Sequence, residues 1–90
     1  MSHAVKDKDK IVSRLNRIQG QLNAAFNAVK NEEEAYTLLQ LLSSTRGALS
    51  GLMGDIIEHH IIEHIVKASS KKEAALAGKE VNEILKSFWK

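Results

Sequence analysis

From Ile11 to Phe88 no proline interrupts the chain, and apolar residues return every three or four positions almost without a break. That recurrence belongs to the α-helix, whose side chains come back to one face after about 3.6 residues. In the first third of the chain, Ile11, Leu15, Ile18, Leu22, Ala25 or Phe26, and Val29 follow alternating steps of four and three. This is an apolar stripe of coiled-coil type, and it predicts a helix over about residues 7–30 ending near Asn31. A second helix is expected over about 32–67. Glu32–Glu34 have the acidic character that favours a helix amino terminus, and no breaker follows them. Leu38, Leu42, Thr45, Leu49, Leu52, Ile56 and His60 form its main stripe, widened by Leu39, Leu41, Met53, Ile57, Ile61 and Ile62. A helix apolar on several faces needs more than one neighbour. Gly47 and Gly51 share one face of it, where either another helix comes close or the glycines merely loosen the helix at ~1 kcal/mol each. Ala68–Ser70 form a short link, and a third helix over about 71–88 carries Ala77, Val81, Ile84 and Phe88. Phe88 and Trp89 either cap this core or meet a neighbouring subunit.

With 90 residues the chain is expected to be a single domain, 1–90, whose first six residues form a flexible arm. This length is near the lower limit for one core, and with no cysteine there is no disulfide to staple it. Oligomerisation or a bound metal is therefore expected. Three helices with two short links imply an all-α protomer, an antiparallel hairpin followed by a shorter helix. Pairing two such hairpins into a four-helix bundle would cover the middle helix. The polar, mixed-charge opening does not read as a signal peptide, and no apolar run approaches the ~20 residues of a membrane helix. A cytoplasmic protein is expected.

Charge is laid out in blocks. Residues 1–20 set Lys6, Lys8, Lys10, Arg14 and Arg17 against Asp7 and Asp9, the middle of the chain is acidic, and residues 67–90 are again lysine-rich. On the first helix Lys6, Lys10, Arg14, Arg17 and Gln21 lie within roughly 40° of one line, about 110° around from the apolar stripe. The basic line is thus expected to be exposed beside the core face. Arginine donates two parallel hydrogen bonds to a phosphate, and a straight row of such groups can follow a nucleic-acid backbone. A solvated helix face has the same pattern. No helix-turn-helix spacing, zinc-finger ligand set or interleaved aromatic residues accompany the row, so those modes of recognition are disfavoured.

His60 and His64 are four apart, the helical spacing that offers two imidazoles to one metal ion. Glu63 could be a ligand or an outer acceptor. His3 lies on the arm, and Ser2 would add an amine if the initiator methionine is removed. Such donors suit nickel, cobalt, zinc or copper(II), and the missing thiol argues against copper(I). The plainer reading is a pair of histidines favouring the negative end of a helix dipole.

Taken together, several segments resemble the CsoR/RcnR/FrmR family of metal- and formaldehyde-responsive repressors, and its nickel/cobalt-responsive RcnR branch in particular. They are the Met-Ser-His opening with the charged run Asp7–Lys10, then Arg14-Leu-Asn-Arg17-Ile-Gln-Gly20-Gln21, and then Leu39-Gln-Leu-Leu, Arg46-Gly-Ala, Gly51-Leu-Met53 and the His60/His64 pair. The likeness covers residues 1–66 well and the third helix loosely. It implies a dimer built as a four-helix bundle, a disc-shaped tetramer formed as a dimer of dimers, and binding to double-stranded operator DNA. It implies DNA contacts by Arg14, Arg17 and Gln21, with Arg46 as a further candidate, and the basic row read above adds Lys10 and Lys6 to them. It implies metal ligation by His3, His60 and His64, with the Ser2 amine, Glu34 and Glu63 as further donors, and nickel or cobalt as the effector. One departure is serious: the family's cysteine at the start of the second helix corresponds to Ala35. Thiol-based sensing of aldehyde or copper(I) is thereby excluded, and either a nitrogen and oxygen site or a silenced site remains.

The expected function is a DNA-binding repressor released by a divalent transition metal. The rivals are a repressor of the same fold without metal response and a helical metal-buffering or scaffolding oligomer without DNA function. No enzyme is expected, since no nucleophile motif, phosphate loop or convergent acid pair is present.

Overall fold

The computed structural model describes residues 7–88, and every regular element among them is helical. Helix α1 spans Lys8–Lys30, α2 spans Ala35–Ile61 and runs into a π-helical turn at Ile62–Val66, and α3 spans Lys71–Phe88. Packing divides the chain into two compact units, with the boundary inside α2 after Met53.

In the first unit, Asp7–Met53, α1 and α2 form a hairpin closed by four residues. The closure is a Schellman motif. The Glu33 N–H donates to the Ala28 carbonyl at 2.9 Å and the Glu32 N–H to the Val29 carbonyl at 3.1 Å, with Glu32 in the left-handed region at φ 54°. Glu32–Glu34 therefore belong to the connection and not to the first turn of α2, a correction to the expected start near residue 32. The Glu34 carbonyl accepts the first helical bonds, from the N–H groups of Thr37 and Leu38. Three consecutive glutamates cannot all serve a helix terminus once one of them is used for the left-handed turn.

The face that α1 turns inward also differs from the expected stripe. The buried and half-buried residues are Ile11, Arg14, Ile18, Gln21, Ala25 and Ala28, whereas Leu15, Leu22, Phe26 and Val29 are exposed. On α2 the inward line is Leu38, Leu41, Thr45, Ala48 and Leu52, and Leu39, Leu42 and Leu49 are exposed. Small residues on both inward lines let the helices approach. Thr45, the one buried polar residue among those described, returns its hydroxyl to the Leu41 carbonyl at 2.8 Å. Of the two readings of the paired glycines, no described part of this chain comes close at Gly47, where an added Cβ would meet nothing within 4 Å. At Gly51 it would meet only the Arg14 guanidinium, at 3.5 Å.

In the second unit, residues 54–88, the π-helical turn ends with the Lys67 N–H donating to the Ile62 carbonyl, five residues back, at 2.9 Å. Helix α3 then folds back so that Gly78 faces the tip of Ile65. Ala77 and Val81 are buried, with Ala74, Leu85 and Phe88 half-buried beside them. Ile84, expected in this line, is exposed and Leu85 takes its place. Trp89 lies outside the described residues.

Candidate metal centre and nucleic-acid interface

His60 is in the last turn of α2 and His64 in the π-helical turn. Their ring centroids are 4.9 Å apart and the planes are tilted by 45°. The wider turn keeps the two rings together even though α-helical geometry has ended. π-turns inside helices occur often at functional sites.

Each ring faces a carboxylate of α3. His64 Nδ1 is 3.2 Å from Glu73 Oε2, and His60 Nε2 is 3.4 Å from Glu80 Oε1. The other oxygen of Glu73 caps α3, accepting from the Ser69 N–H at 2.9 Å and the Ser69 hydroxyl at 2.7 Å. Ser70 completes the start of the helix by accepting from the Glu73 N–H at 3.1 Å. These bonds, those from Ser69 first and that from His64 next, lower the Glu73 pKa to about 2. Glu73 is therefore an ionised acceptor near neutral pH, and its bond with His64 needs the proton on Nδ1. That tautomer leaves the lone pair on Nε2.

A histidine whose outer N–H is held by a carboxylate is the usual ligand arrangement for a transition metal, so the chemistry of this pair fits one. Two imidazoles do not complete a site, and among the described residues no three histidine, aspartate or glutamate side chains gather to hold an ion. The other expected donors are placed as follows. Glu63 pairs with Lys67 at 3.3 Å. Glu34 precedes α2, and Ala35 is its first residue. Ser2 and His3 lie outside the described residues.

The basic row of α1 divides in two. Lys10 and Arg17 are exposed as expected, but Arg14 and Gln21 are half-buried and turned toward α2, which corrects the reading of one exposed line. Arg14 lies against Gly51, and Gln21 Nε2 donates to the Ser44 hydroxyl at 3.2 Å while its buried Oε1 has no partner among the described residues. The division follows from the inward face lying between the basic row and the apolar stripe, so that it takes one edge of each. Arg46 is exposed on α2 among Leu39, Leu42 and Leu49, and Lys6 lies outside the described residues.

Glu73 and Glu80 do not belong to the site expected from sequence. Ser70-Lys-Lys-Glu73 is a capping-box pattern legible in the sequence, and it places Glu73 at the start of α3. Nothing in the sequence indicates that the same carboxylate also reaches a histidine.

Residues 7–90 match the family described as metal-sensitive transcriptional repressor. The chain is 39% identical over 71 residues to the transcriptional repressor RcnR of Citrobacter koseri, covering 79% of each chain. It is 41% identical over 66 residues to the RcnR homolog of Escherichia coli O139:H28, covering 73% of each. Its fold is similar to that of the formaldehyde-responsive regulator FrmR of Salmonella enterica serovar Typhimurium, solved as a glutamate-to-histidine variant. The TM-score is 0.81 at 31% identity, over 91% of this chain and 93% of that one.

Proposed function

Since the chain belongs to the metal-sensitive transcriptional repressor family, we propose that it is an oligomeric repressor that leaves operator DNA when a divalent transition metal ion binds. The observation that carries the metal half is the His60–His64 pair, with His64 held on Nδ1 by Glu73. Two imidazoles suit nickel, cobalt, zinc or copper(II), and nickel and cobalt are put first on the resemblance to the RcnR branch alone. His60 and His64 would hold the ion, with His3 as a third ligand and the Ser2 amine, Glu34 or Glu63 as further donors. The ion would supply a charge and a set of fixed bond directions that draw the ligands together. Metal-driven release requires the ion to bind free protein more tightly than DNA-bound protein.

Exposed Lys10 and Arg17 support the DNA half. Arg14, Gln21 and Arg46 would contribute through the assembly, because their positions are set by the α1–α2 hairpin and its exposed apolar stripes. A homo-oligomer, a dimer of dimers in the fullest form, would cover those stripes.

Ala35 favours one rival specifically. Without a thiolate at the start of α2, the chain could keep the fold and the DNA contacts and lack the metal response. Formaldehyde capture through a thiol has no nucleophile here.

The deciding experiment is fluorescence anisotropy of labelled DNA from the gene's own promoter. Protein is titrated in EDTA, and Ni²⁺, Co²⁺, Zn²⁺ or Cu²⁺ is then added in excess to the complex. Tight binding reversed by one ion supports the sensor, and indifference to every ion selects the metal-blind repressor. Affinity no higher than for random DNA sinks the repressor reading.

A further inference from the structure

Glu73 is one carboxylate with two tasks. Oε2 meets His64 Nδ1 at 3.2 Å, and Oε1 accepts both the backbone N–H and the hydroxyl of Ser69, at 2.9 and 2.7 Å. The side chain therefore joins a histidine of the π-helical turn to the start of α3, nine residues along the chain. We propose that Glu73 is a positioning residue for metal capture. Through Oε2 it fixes His64 in the tautomer that presents Nε2, and through Oε1 it makes the first turn of α3 respond to what His64 binds.

A carboxylate can serve two donors only while both lie within reach of its two oxygens, and its plane is set by the more numerous bonds, here those from Ser69. His64 is thus held by a group anchored in the backbone of the α3 cap. A ligand on Nε2 sharpens the Nδ1–H donor and strengthens its bond to Oε2, which draws the carboxylate toward the ring. The opposite oxygen carries that pull to Ser69 and to the exposed amides of the helix start. By linkage the effect runs both ways, so weakening the cap must weaken metal binding. Glu80 has no such second role among the described residues, where its polar partner is His60.

The inference rests on the metal reading above, and the test separates the two. In the metal-free full-length protein, ¹⁵N NMR of the histidine rings should find His64 protonated on Nδ1. Glu73→Gln keeps a carbonyl oxygen for Ser69 but presents an NH₂ group to the ring, so His64 should change to the Nε2–H tautomer. Its Co²⁺ affinity, read by competition with a chromophoric chelator, should fall about 10- to 100-fold. In the wild type, Co²⁺ should slow hydrogen exchange of the amides at residues 71–74. Ser70→Ala leaves the carboxylate untouched, so it should keep the wild-type tautomer and lose about two- to fivefold in Co²⁺ affinity.

An unchanged His64 tautomer in folded Glu73→Gln overturns the proposal, as does Co²⁺ binding that leaves the α3 amides unaltered. If Glu73→Gln loses α3, the exchange experiment and Ser70→Ala still decide. If the wild type binds no Co²⁺, the metal reading falls, and the tautomer comparison alone shows whether Glu73 positions His64.

Discussion

At Glu32 the backbone is held at φ 54°, a conformation that costs an L-residue roughly 1–2 kcal/mol because Cβ crowds the following carbonyl. The two Schellman hydrogen bonds and the need to reverse direction within four residues hold it there. Glycine would remove the crowding, at the cost of a more flexible unfolded chain. Glu32→Gly should therefore stabilise the protein by about 1 kcal/mol, raising Tm by roughly 4–8 °C when compared at equal protomer concentration. An unchanged or lower Tm would mean that the Glu32 side chain makes a compensating contact. The two arginines of α1 allow a second test at this scale. Arg17 is exposed, so Arg17→Ala should move stability by less than about 0.5 kcal/mol. The same change should flatten the slope of log affinity for DNA against log salt by about 0.9 for each phosphate that Arg17 neutralises. Arg14 packs beside Gly51, so Arg14→Ala should alter both stability and DNA affinity. Salt-dependent anisotropy combined with thermal melting separates the two. If Arg17→Ala leaves the salt slope intact, Arg17 does not neutralise a phosphate.

Helix α3 begins on a cap that can be dismantled one group at a time. Ser70→Ala removes the bond to the Glu73 N–H and should cost about 1 kcal/mol, read as a lower melting temperature by circular dichroism. The Glu73 carboxylate adds a dependence on acid. Its folded pKa, about 2, lies below the ordinary value of 4.5, so its stabilisation is complete above the unfolded pKa and is lost as pH falls from about 4.5 through 2. The Ser69 bonds are the main cause and His64 the next. The stability difference between wild type and Glu73→Gln should therefore shrink across that window; a difference that persists at pH 2 would mean the carboxylate charge is not what stabilises. Much at this scale was legible in the sequence, because three- and four-residue recurrence and the absence of proline leave helices as the consistent choice. The inward face of α1 was not. Its apolar stripe suits a partner helix as well as its own hairpin, and the hairpin instead takes the line through Ile18, Ala25 and Ala28, where small side chains let α2 approach. The His60–His64 pair could be found from spacing, but the π-helical turn has no sequence period of its own. The contacts to Glu73 and Glu80 depend on where α3 folds back.

For the whole molecule, the exposed stripes are the dominant feature. Leu15, Leu22, Phe26 and Val29 on α1, with Leu39, Leu42 and Leu49 on α2, leave Phe26 64% and Leu39 62% exposed on the hairpin. A single chain stranding so much apolar surface forgoes about 1.5–3 kcal/mol for each large side chain that could be covered. Its own inward face offers little in return, since most of the buried residues are small. Seven-residue recurrence within α1, from Leu15 to Leu22 to Val29, is the pattern that knobs-into-holes packing between helices requires. A second copy meets that requirement by symmetry, because the same stripe is presented by both partners. Sedimentation should therefore give a multiple of the 10.0 kDa protomer mass, and Leu22→Glu, which buries a charge in the middle of the stripe, should shift the population to the protomer. The consequence for DNA is larger than that of removing one basic side chain. Among the described residues of the α1 basic row, Lys10 and Arg17 are the exposed members, and tight binding needs several such short segments fixed in register. Leu22→Glu should accordingly abolish operator binding with every basic residue still in place. Retention of both the oligomeric mass and DNA binding would move the interface off this stripe. Loss of mass with DNA affinity preserved would mean that one protomer suffices, and that metal could not act through the arrangement of the assembly.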